Sequence, residues 1–219
     1  MMTLGASKPV RSSQVLPHKN LEATVKKHLQ HSYLRPPSPH SIEVFERLAP
    51  LFRDDDRRPL LLDSGCGTGD SSIFLGKQYP RCRIIGIDQS AVRLHKALDK
   101  PRTENVTFHR IDQFDFWRLA RASHVLFDHH YLFYPNPWPK KEHLKRRIHG
   151  HPAFADLLQI SKSITLRSNW RLYLEEFAAA FELATGRRGA LQQLEVKTPL
   201  TLFEKKFLAS GHTLYEFYV

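Results

Sequence analysis

A short apolar run followed at once by a glycine-rich turn constrains the fold of this chain more than any other feature. Leu60-Leu61-Leu62 predicts a buried strand that continues directly into Asp63-Ser-Gly-Cys-Gly-Thr-Gly69, after which residues 71–79 have the pattern of a helix. The three glycines let the backbone turn sharply and pass close to a ligand that a Cβ would exclude. This unit therefore predicts a sheet that binds a nucleotide-like molecule at its strand ends.

Strands and helices continue to alternate after the glycine turn. The pattern predicts further strands at residues 84–87, 106–111, 123–128, 164–166, 191–196 and 212–219, and helices at 91–98, from about 173 onward and at 203–208. Alternation of this kind indicates an α/β, Rossmann-like fold, with a mainly parallel sheet that carries helices on both faces.

Three segments of different character divide the chain. Residues 1–20 are rich in Ser, Pro, Lys and Arg without periodicity, and they predict a flexible basic arm. Residues 21–58 hold two helical patterns, one at Leu21–Leu29 and one from about Ser41, and they form a predicted helical extension. The strand and helix alternation fills residues 59–219, which we expect to form one domain.

The charge balance indicates a polyanionic partner. Lys and Arg outnumber Asp and Glu by 33 to 22, which gives a net charge of +11 and suits a phosphate backbone. No apolar run reaches the ~20 residues of a membrane span. Two cysteines and scattered histidines predict reduced thiols and no metal site, and together with the absence of a signal-peptide pattern they favour a cytoplasmic protein. We favour a monomer.

Carboxylates stand at regular positions along the predicted strands. Asp88 ends the second strand, where a carboxylate can accept from both hydroxyls of a ribose; the alternative is a residue that caps the next helix. Asp112 follows the third strand and can accept from an adenine amino group, or it can be a turn residue. Asp63 lies beside the glycine loop, where it can balance a cationic ligand such as an ammonium group.

The loop sequence narrows the choice of ligand. It lacks the Gly-Lys-Ser/Thr ending of a nucleoside-triphosphate loop, and its Gly-x-Gly-x-Gly spacing differs from the Gly-x-Gly-x-x-Gly of nicotinamide dehydrogenases. An acid just before the loop would repel a pyrophosphate. S-adenosylmethionine, which is cationic and carries no phosphate, fits this loop best.

A second motif joins a stiff turn to a basic run. Tyr134-Pro-Asn-Pro-Trp-Pro139 carries three prolines that fix φ and remove backbone donors, so it predicts a loop that presents an amide and an indole. The basic side chains that follow can bind RNA phosphates, or they can form a solvated helix face: Lys140, Lys141, Lys145, Arg146 and Arg147. Tyr134 or Trp138 can stack on an extruded base, although Trp138 can equally pack the loop against the sheet.

These motifs together resemble the tRNA (guanine-N7-)-methyltransferase family. The resemblance covers residues 59–219 and depends on the glycine loop, on the Pro-Asn-Pro-Trp-Pro-Lys-Lys block and on Thr201-Leu-Phe-Glu204. It implies a class I methyltransferase fold with a seven-stranded sheet and an antiparallel C-terminal strand. It also implies S-adenosyl-L-methionine as cofactor, tRNA or another structured RNA as partner, and 7-methylguanine as product.

The resemblance also implies roles for individual residues. It assigns cofactor binding to two glycines of the loop, to three aspartates and to Asn136, which takes the position of a fourth family acid. These residues are Asp63, Gly65, Gly67, Asp88, Asp112 and Asn136. Substrate binding falls to Lys140, Asn169, Thr201 and Glu204. Asn136 and Asn169 occupy the positions of two family aspartates and are the candidate catalytic residues.

The two amides need not prevent catalysis, because guanine N7 carries an in-plane lone pair and can attack a methyl group without a general base. An asparagine offers one acceptor and one donor group where an aspartate offers acceptors alone, so the base preference can change. Two alternatives remain open. One is methylation of an exocyclic amine, since Asn-Pro followed by an aromatic is similar to a motif that orients such amines. The other is a catalytically silent paralogue that binds RNA.

Overall fold

The computed structural model of the chain describes residues 6–52 and 57–219. The first five residues of the predicted arm and residues 53–56 of the predicted helical extension lie outside the described residues. Seven strands form one sheet in the order β3-β2-β1-β4-β5-β7-β6. Their bounds are β1 Leu60–Ser64, β2 Arg83–Asp88, β3 Val106–Arg110, β4 His129–Phe133, β5 Ile164–Ser168, β6 Ala190–Leu194 and β7 Leu214–Tyr218.

The pairing of these strands confirms the predicted fold class. Strand β1 pairs in parallel with β2 and with β4, and β2 pairs in parallel with β3. Strand β7 runs antiparallel to both β5 and β6. The sheet is thus mainly parallel with an antiparallel C-terminal strand, as in class I methyltransferases.

The helices alternate with the strands along the chain. They are α1 Leu21–Gln30, α2 Pro39–Leu48, α3 Asp70–Gln78, α4 Ala91–Leu98, α5 Gln113–Ala122, α6 Phe154–Gln159, α7 Arg171–Thr185 and α8 Leu202–Ala209. Short 3-10 turns cover Ala49–Phe52, Lys141–Arg146 and Ile148–Gly150. Within the parts of the chain that the structure describes, no helix combines the length and apolarity needed to cross a membrane.

The helix starts follow from local capping residues. The side chain of Ser38 accepts from the backbone N–H of Ser41 at 3.1 Å, and Pro39 occupies the first turn of α2, where its missing N–H is not needed. Thr201 caps α8 in the same way, since its Oγ1 accepts from Glu204 N at 2.9 Å. These caps explain why the predicted bounds of both helices are close to the observed ones.

The predicted fourth strand at residues 123–128 is wrong, because β4 lies at His129–Phe133. Helix α5 ends at Ala122, and His124 then takes a left-handed φ of 55°. Phe127 is buried but forms only an isolated bridge with Ser161. The apolar residues of this segment therefore pack as a connection, and the strand begins later, at a His-His pair whose polarity concealed it.

The described residues divide into two compact units. The first, called the glycine-loop unit here, comprises Leu34–Leu132 and Asp156–Ile164, with a core of aromatic rings: Phe45, Phe116, Trp117 and Phe127. The second, called the proline-loop unit, comprises the described residues up to Tyr33 with Phe133–Ala155 and Thr165–Val219. Its core includes the buried rings of Phe154, Phe177, Phe181 and Phe217.

Candidate functional site

Asp63 is a buried carboxylate whose two oxygens differ in their hydrogen bonding. Its Oδ2 accepts from the hydroxyls of Ser71 and Ser72, each at 2.6 Å, at the start of α3. Its Oδ1 is shielded from solvent and has no hydrogen-bond partner among the described residues. Burial raises the pKa of Asp63 to about 6. A buried acceptor without a partner is costly in a folded protein, and a cationic ligand group beside it would satisfy it.

The glycine loop turns away from Asp63 through left-handed backbone. Gly67 has a φ of +58°, and its N–H donates to Asp88 Oδ2 at 3.0 Å. A Cβ at Gly67 would meet no atom closer than 4.0 Å, so this part of the loop faces open space. At Gly69, by contrast, a Cβ would lie 2.6 Å from the Phe108 ring. Gly67 therefore leaves room for a ligand, and Gly69 lets the loop pack closely against Phe108.

Asp88 lies at the carboxyl end of β2, where the sequence predicted a ribose ligand. It is buried, and its oxygens accept from the backbone N–H groups of Gly67 and Ser90. The guanidinium of Arg93 also binds it, with Nη2 at 2.8 Å from Oδ1 and Nε at 3.3 Å from Oδ2. Because Arg93 is half-exposed on α4, it can swing away. A ribose at Asp88 would have to replace this ion pair.

Asp112 is the N-cap of α5. Its Oδ1 accepts from Phe114 N at 2.9 Å and from Asp115 N at 3.1 Å. The structure therefore gives Asp112 the turn and capping role that was the alternative for this residue. Only Oδ2 has no such bond to the helix and is left for an adenine amino group.

A cavity of about 950 Å³ in the glycine-loop unit lies elsewhere. Its lining includes Leu60 and Arg83, which are the first residues of β1 and β2. Ligands of open α/β sheets bind outside the carboxyl ends of the strands, and Asp63 and Asp88 are near those ends. We therefore assign the candidate cofactor site to the glycine loop and not to this cavity.

In the proline-loop unit, the turn at residues 134–139 has strained backbone. Tyr134 and Trp138, each followed by a proline, have φ values of 54° and 45°. Left-handed conformations are uncommon for aromatic residues, and they persist where the surroundings fix them. The exposed side chain of Asn136 accepts from Trp138 N at 3.3 Å through Oδ1, which stabilises the turn.

Arg147 fixes this turn from behind and is not a phosphate ligand. Its side chain is completely buried, and it donates to Trp138 O at 3.2 Å and to Lys140 O at 3.3 Å. It also forms an ion pair with the fully buried Glu176 of α7. The prediction that Arg147 contacts RNA is therefore corrected, since its guanidinium is engaged inside the protein and positions the proline turn.

Glu176 has partners for both of its oxygens. Oε1 accepts from Gln14 Nε2 at 2.6 Å and from His18 N at 2.7 Å, and Oε2 accepts from Arg147 and from His149 Nε2 at 3.0 Å. Despite the burial of the carboxylate, the bonds to His149 and Arg147 hold its pKa down at about 2. This group, called the Glu176 cluster here, joins the 14–18 segment to the proline-loop unit.

The rest of the 6–20 segment, which we expected to be a flexible arm, also makes contacts within the unit. Ser12 Oγ donates to Pro139 O at 2.6 Å, and Ser7 N donates to Ser210 Oγ at 2.9 Å. Gln14, which follows these residues in the segment, is buried in the Glu176 cluster. The described part of the predicted arm is thus bound at several places along its length.

The remaining cations of the basic run have exposed side chains: Lys140, Lys141, Lys145 and Arg146. The guanidinium of Arg146 lies over the Trp138 ring, 4.8 Å from its centroid, so this face of the indole is covered. The edge of His143 also contacts Trp138. Trp138 therefore packs against two side chains of the basic run that follows it, while all four cations keep exposed side chains that can face a polyanion.

Glu204, another of the predicted substrate residues, contacts Tyr134. Glu204 is buried, and its carboxylate accepts from Tyr134 Oη at 2.6 Å, from Arg167 at 3.0 Å and from Leu200 N at 2.5 Å. Burial and this carboxylate raise the pKa of Tyr134. Contrary to the expectation of direct substrate contact, Glu204 has both oxygens engaged and positions Tyr134. Asn169 is half-exposed and bonds to His212 Nδ1 at 3.0 Å.

Several residues that the sequence reasoning missed support these sites. The hydroxyls of Ser71 and Ser72 donate to Asp63, and Arg93 forms an ion pair with Asp88. Glu176 forms an ion pair with Arg147. Glu176 had a readable signal, because it lies in the otherwise apolar face of α7. Arg93 had none, since an arginine on an exposed helix is ordinary.

Comparison with known proteins identifies the family. Residues 57–217 match the family described as "Putative methyltransferase". The tRNA (guanine-N(7)-)-methyltransferase of Aquifex aeolicus is 33% identical over 167 residues, which cover 72% of this chain and 54% of that protein. The enzyme of the same name from Zymomonas mobilis is 31% identical over 180 residues, and these cover 76% of each chain. The match to the Aquifex protein thus spans about half of its length.

Solved structures agree on the fold. The structure of an antibiotic-related methyltransferase covers 80% of this chain, and 92% of its own chain is matched, at 16% identity and a TM-score of 0.60. The 16S rRNA methyltransferase KamB covers 84% of this chain, with 94% of its own length matched, at 16% identity and a TM-score of 0.53. The family match over residues 57–217 and the 31% identity to the Zymomonas mobilis enzyme show that the chain belongs to the methyltransferase family that includes the tRNA (guanine-N(7)-)-methyltransferases of Aquifex aeolicus and Zymomonas mobilis.

Proposed function

We propose that this protein transfers a methyl group from S-adenosylmethionine to N7 of a guanine in tRNA. The single observation that carries the proposal is the buried Asp63, whose free oxygen stands beside a glycine loop with open space at Gly67, in a chain of this family. An acidic site of this kind suits a cationic cofactor and disfavours a phosphate.

The residues of the glycine-loop unit fit the cofactor in three respects. Asp63 Oδ1 would accept from the ammonium group, the carboxylate of Asp88 would accept from the ribose hydroxyls once Arg93 moves away, and Asp112 Oδ2 would accept from the adenine amino group. When bound, the cofactor supplies an activated methyl group on its sulfonium.

The residues of the proline-loop unit would bind and orient the RNA. Lys140, Lys141, Lys145 and Arg146 would neutralise phosphates, and Asn136 and Asn169 would hydrogen-bond the guanine edge. Guanine N7 needs no general base, so orientation of the base is the main task of these side chains. Tyr134, fixed by Glu204, would shape the pocket around the base.

The test is methyl transfer from labelled S-adenosylmethionine to total tRNA, followed by nucleoside identification. We expect 7-methylguanosine in the wild type and none with Asp88→Ala, whose RNA affinity should be unchanged. The double variant Lys140→Ala, Lys141→Ala should show the opposite pattern, in which RNA binding is weakened and cofactor binding is intact. A methyl group on an exocyclic amine would overturn the assignment of the acceptor atom and support the amine alternative.

One observation favours a second candidate, a catalytically silent RNA-binding protein. Arg93 satisfies Asp88 from within the chain, as would be expected where no ribose has to bind. This candidate predicts RNA binding with steep salt dependence and no heat of binding for S-adenosylhomocysteine. A calorimetric titration with S-adenosylhomocysteine therefore separates the two candidates.

A further inference from the structure

Three aromatic rings form a stacked column in the proline-loop unit. Phe203 and Phe207, one turn apart on α8, have ring centroids 6.0 Å apart and an angle of 28° between their planes. The His212 ring continues the column, with its centroid 5.3 Å from that of Phe207 and an angle of 12°. Aromatic rings in this nearly parallel, offset arrangement attract a further π system at the open end of the column.

The outer end of the column is open to solvent. Phe203 is 54% exposed and its neighbour Leu202 is 47% exposed, whereas Phe207 and His212 are half-buried. A single exposed apolar side chain is ordinary. The unusual feature here is the pair of stacked rings behind Phe203, which hold its plane in a fixed direction.

The inner end of the column is anchored through both ring nitrogens of His212. Its Nδ1 accepts from the Asn169 side chain at 3.0 Å, and its Nε2 donates to Ser7 O at 3.1 Å. Tyr134 contacts the middle of the column, with its ring centroid 5.4 Å from that of Phe207. The column therefore contacts Asn169 and Tyr134, two of the three residues that the proposed function assigns to the guanine.

Charge and size indicate the occupant of the open end. Lys206 follows Phe203 by three positions on α8 and so lies on the same side of the helix, and the chain as a whole carries a net charge of +11. Two exposed apolar residues on an eight-residue helix offer far less area than the ~800 Å² per partner of a stable protein interface. A planar ring with an attached phosphate backbone matches a rigid aromatic face beside a lysine.

We propose that Phe203, at the end of the Phe203–Phe207–His212 column, is a stacking platform for an unpaired RNA base that flanks the target guanine, with Lys206 binding a phosphate of that base. The inference rests on the proposed function for the identity of the RNA. It adds a binding site on α8 whose interaction is stacking and therefore tolerant of base identity.

The test compares Phe203→Leu with Phe203→Trp and with Leu202→Ala as the matched control. Leucine keeps an apolar side chain but removes the π face. The probes are total tRNA in a binding assay and a short single-stranded RNA with one 2-aminopurine, whose fluorescence is quenched by stacking. We expect Phe203→Leu to lose about 5- to 100-fold in affinity and the quenching, whereas Phe203→Trp and Leu202→Ala keep both.

Equal affinities for wild type and Phe203→Leu would overturn the platform, and so would equal losses for Phe203→Leu and Leu202→Ala, which would indicate a general apolar contact such as a protein partner. If Phe203→Leu fails to fold, retained affinity and quenching in Phe203→Trp support the platform, and loss of quenching in this folded variant overturns it. Failure of the proposed function is distinguishable, because it appears as absent 7-methylguanosine in the wild type while RNA binding and its dependence on Phe203 remain.

Discussion

Asp63 and Glu176 are both carboxylates buried inside their units, and their surroundings give them opposite chemistry. Glu176 has four donors, two of them on basic side chains, and its pKa falls to about 2. Asp63 has two hydroxyl donors on one oxygen and none on the other, and burial raises its pKa to about 6. A satisfied carboxylate stabilises a fold, whereas one that lacks a partner is suited to a ligand.

The largest expected effect is on stability, at the satisfied carboxylate. Glu176→Ala leaves Arg147 buried without its counter-ion, and we expect a loss of about 3–5 kcal/mol in the free energy of unfolding. Chemical denaturation measures it. Asp63→Ala serves as the comparison and should lose much less, because no buried cation depends on it. Equal losses of unfolding free energy in Glu176→Ala and Asp63→Ala would contradict the distinction between a satisfied carboxylate and one that lacks a partner.

Two neighbouring arginines give a matched pair for the same comparison. Arg147→Ala should destabilise the protein by about 3–5 kcal/mol, because it leaves the Glu176 carboxylate buried and without its cation. Arg146→Ala should leave the unfolding curve unchanged and lower the slope of RNA affinity against salt by about one phosphate contact. Denaturation and binding at two salt concentrations check both. A stable Arg147→Ala variant with weakened RNA binding would support the first prediction, that Arg147 binds an RNA phosphate.

The raised pKa of Asp63 predicts a pH dependence of cofactor binding. A cationic ligand favours the carboxylate, so affinity should be constant above pH 6 and should fall as the pH drops below about 6, by up to about tenfold per pH unit. Glu176, with its pKa lowered from 4.5 to about 2, stays charged in this range and supports the fold until the pH falls below 4.5. Titration calorimetry with S-adenosylmethionine between pH 5 and pH 8, at about one-unit steps, checks this. A flat profile that bends only near pH 4 would contradict the role of Asp63.

The smallest expected effect concerns Arg93. Its removal frees Asp88 from a half-exposed ion pair of about 0.2–1 kcal/mol, so Arg93→Ala should raise cofactor affinity by about 1.4- to fivefold. Direct titration with S-adenosylhomocysteine measures it, with Lys96→Ala on the same helix as control. A fall in affinity would mean that Arg93 contacts the cofactor instead of competing with it.

The sequence predicted the fold well because its signals are local. Apolar runs, glycines and capping residues fix β1, α3 and α4 within a few neighbouring positions, and the acids at strand ends follow from the same pattern. The His-His start of β4 concealed a strand because burial of polar residues depends on the tertiary structure. His130, for example, is fully buried between hydroxyl groups of Ser64 and Ser161.

The site could be predicted only in part because partners lie far apart in the chain. Arg147 has the same appearance in the sequence as Arg146, but it is internal because it binds Glu176 and Gln14, which lie far away in the chain. The column from Phe203 to His212 depends on the turn after α8, which ring positions in the sequence do not reveal. Long-range pairing of this kind is set by packing and not by local propensity.

The most direct measurement is the calorimetric titration of wild type and Asp63→Asn with S-adenosylmethionine at neutral pH, beside their unfolding curves. Asparagine keeps an acceptor for Ser71 and Ser72 but removes the negative charge that a cationic ligand needs. The account predicts saturable binding in the wild type, a loss of about 10- to 100-fold or more in Asp63→Asn, and no comparable loss of stability. Equal affinity in the two proteins, or no binding in the wild type, would contradict it.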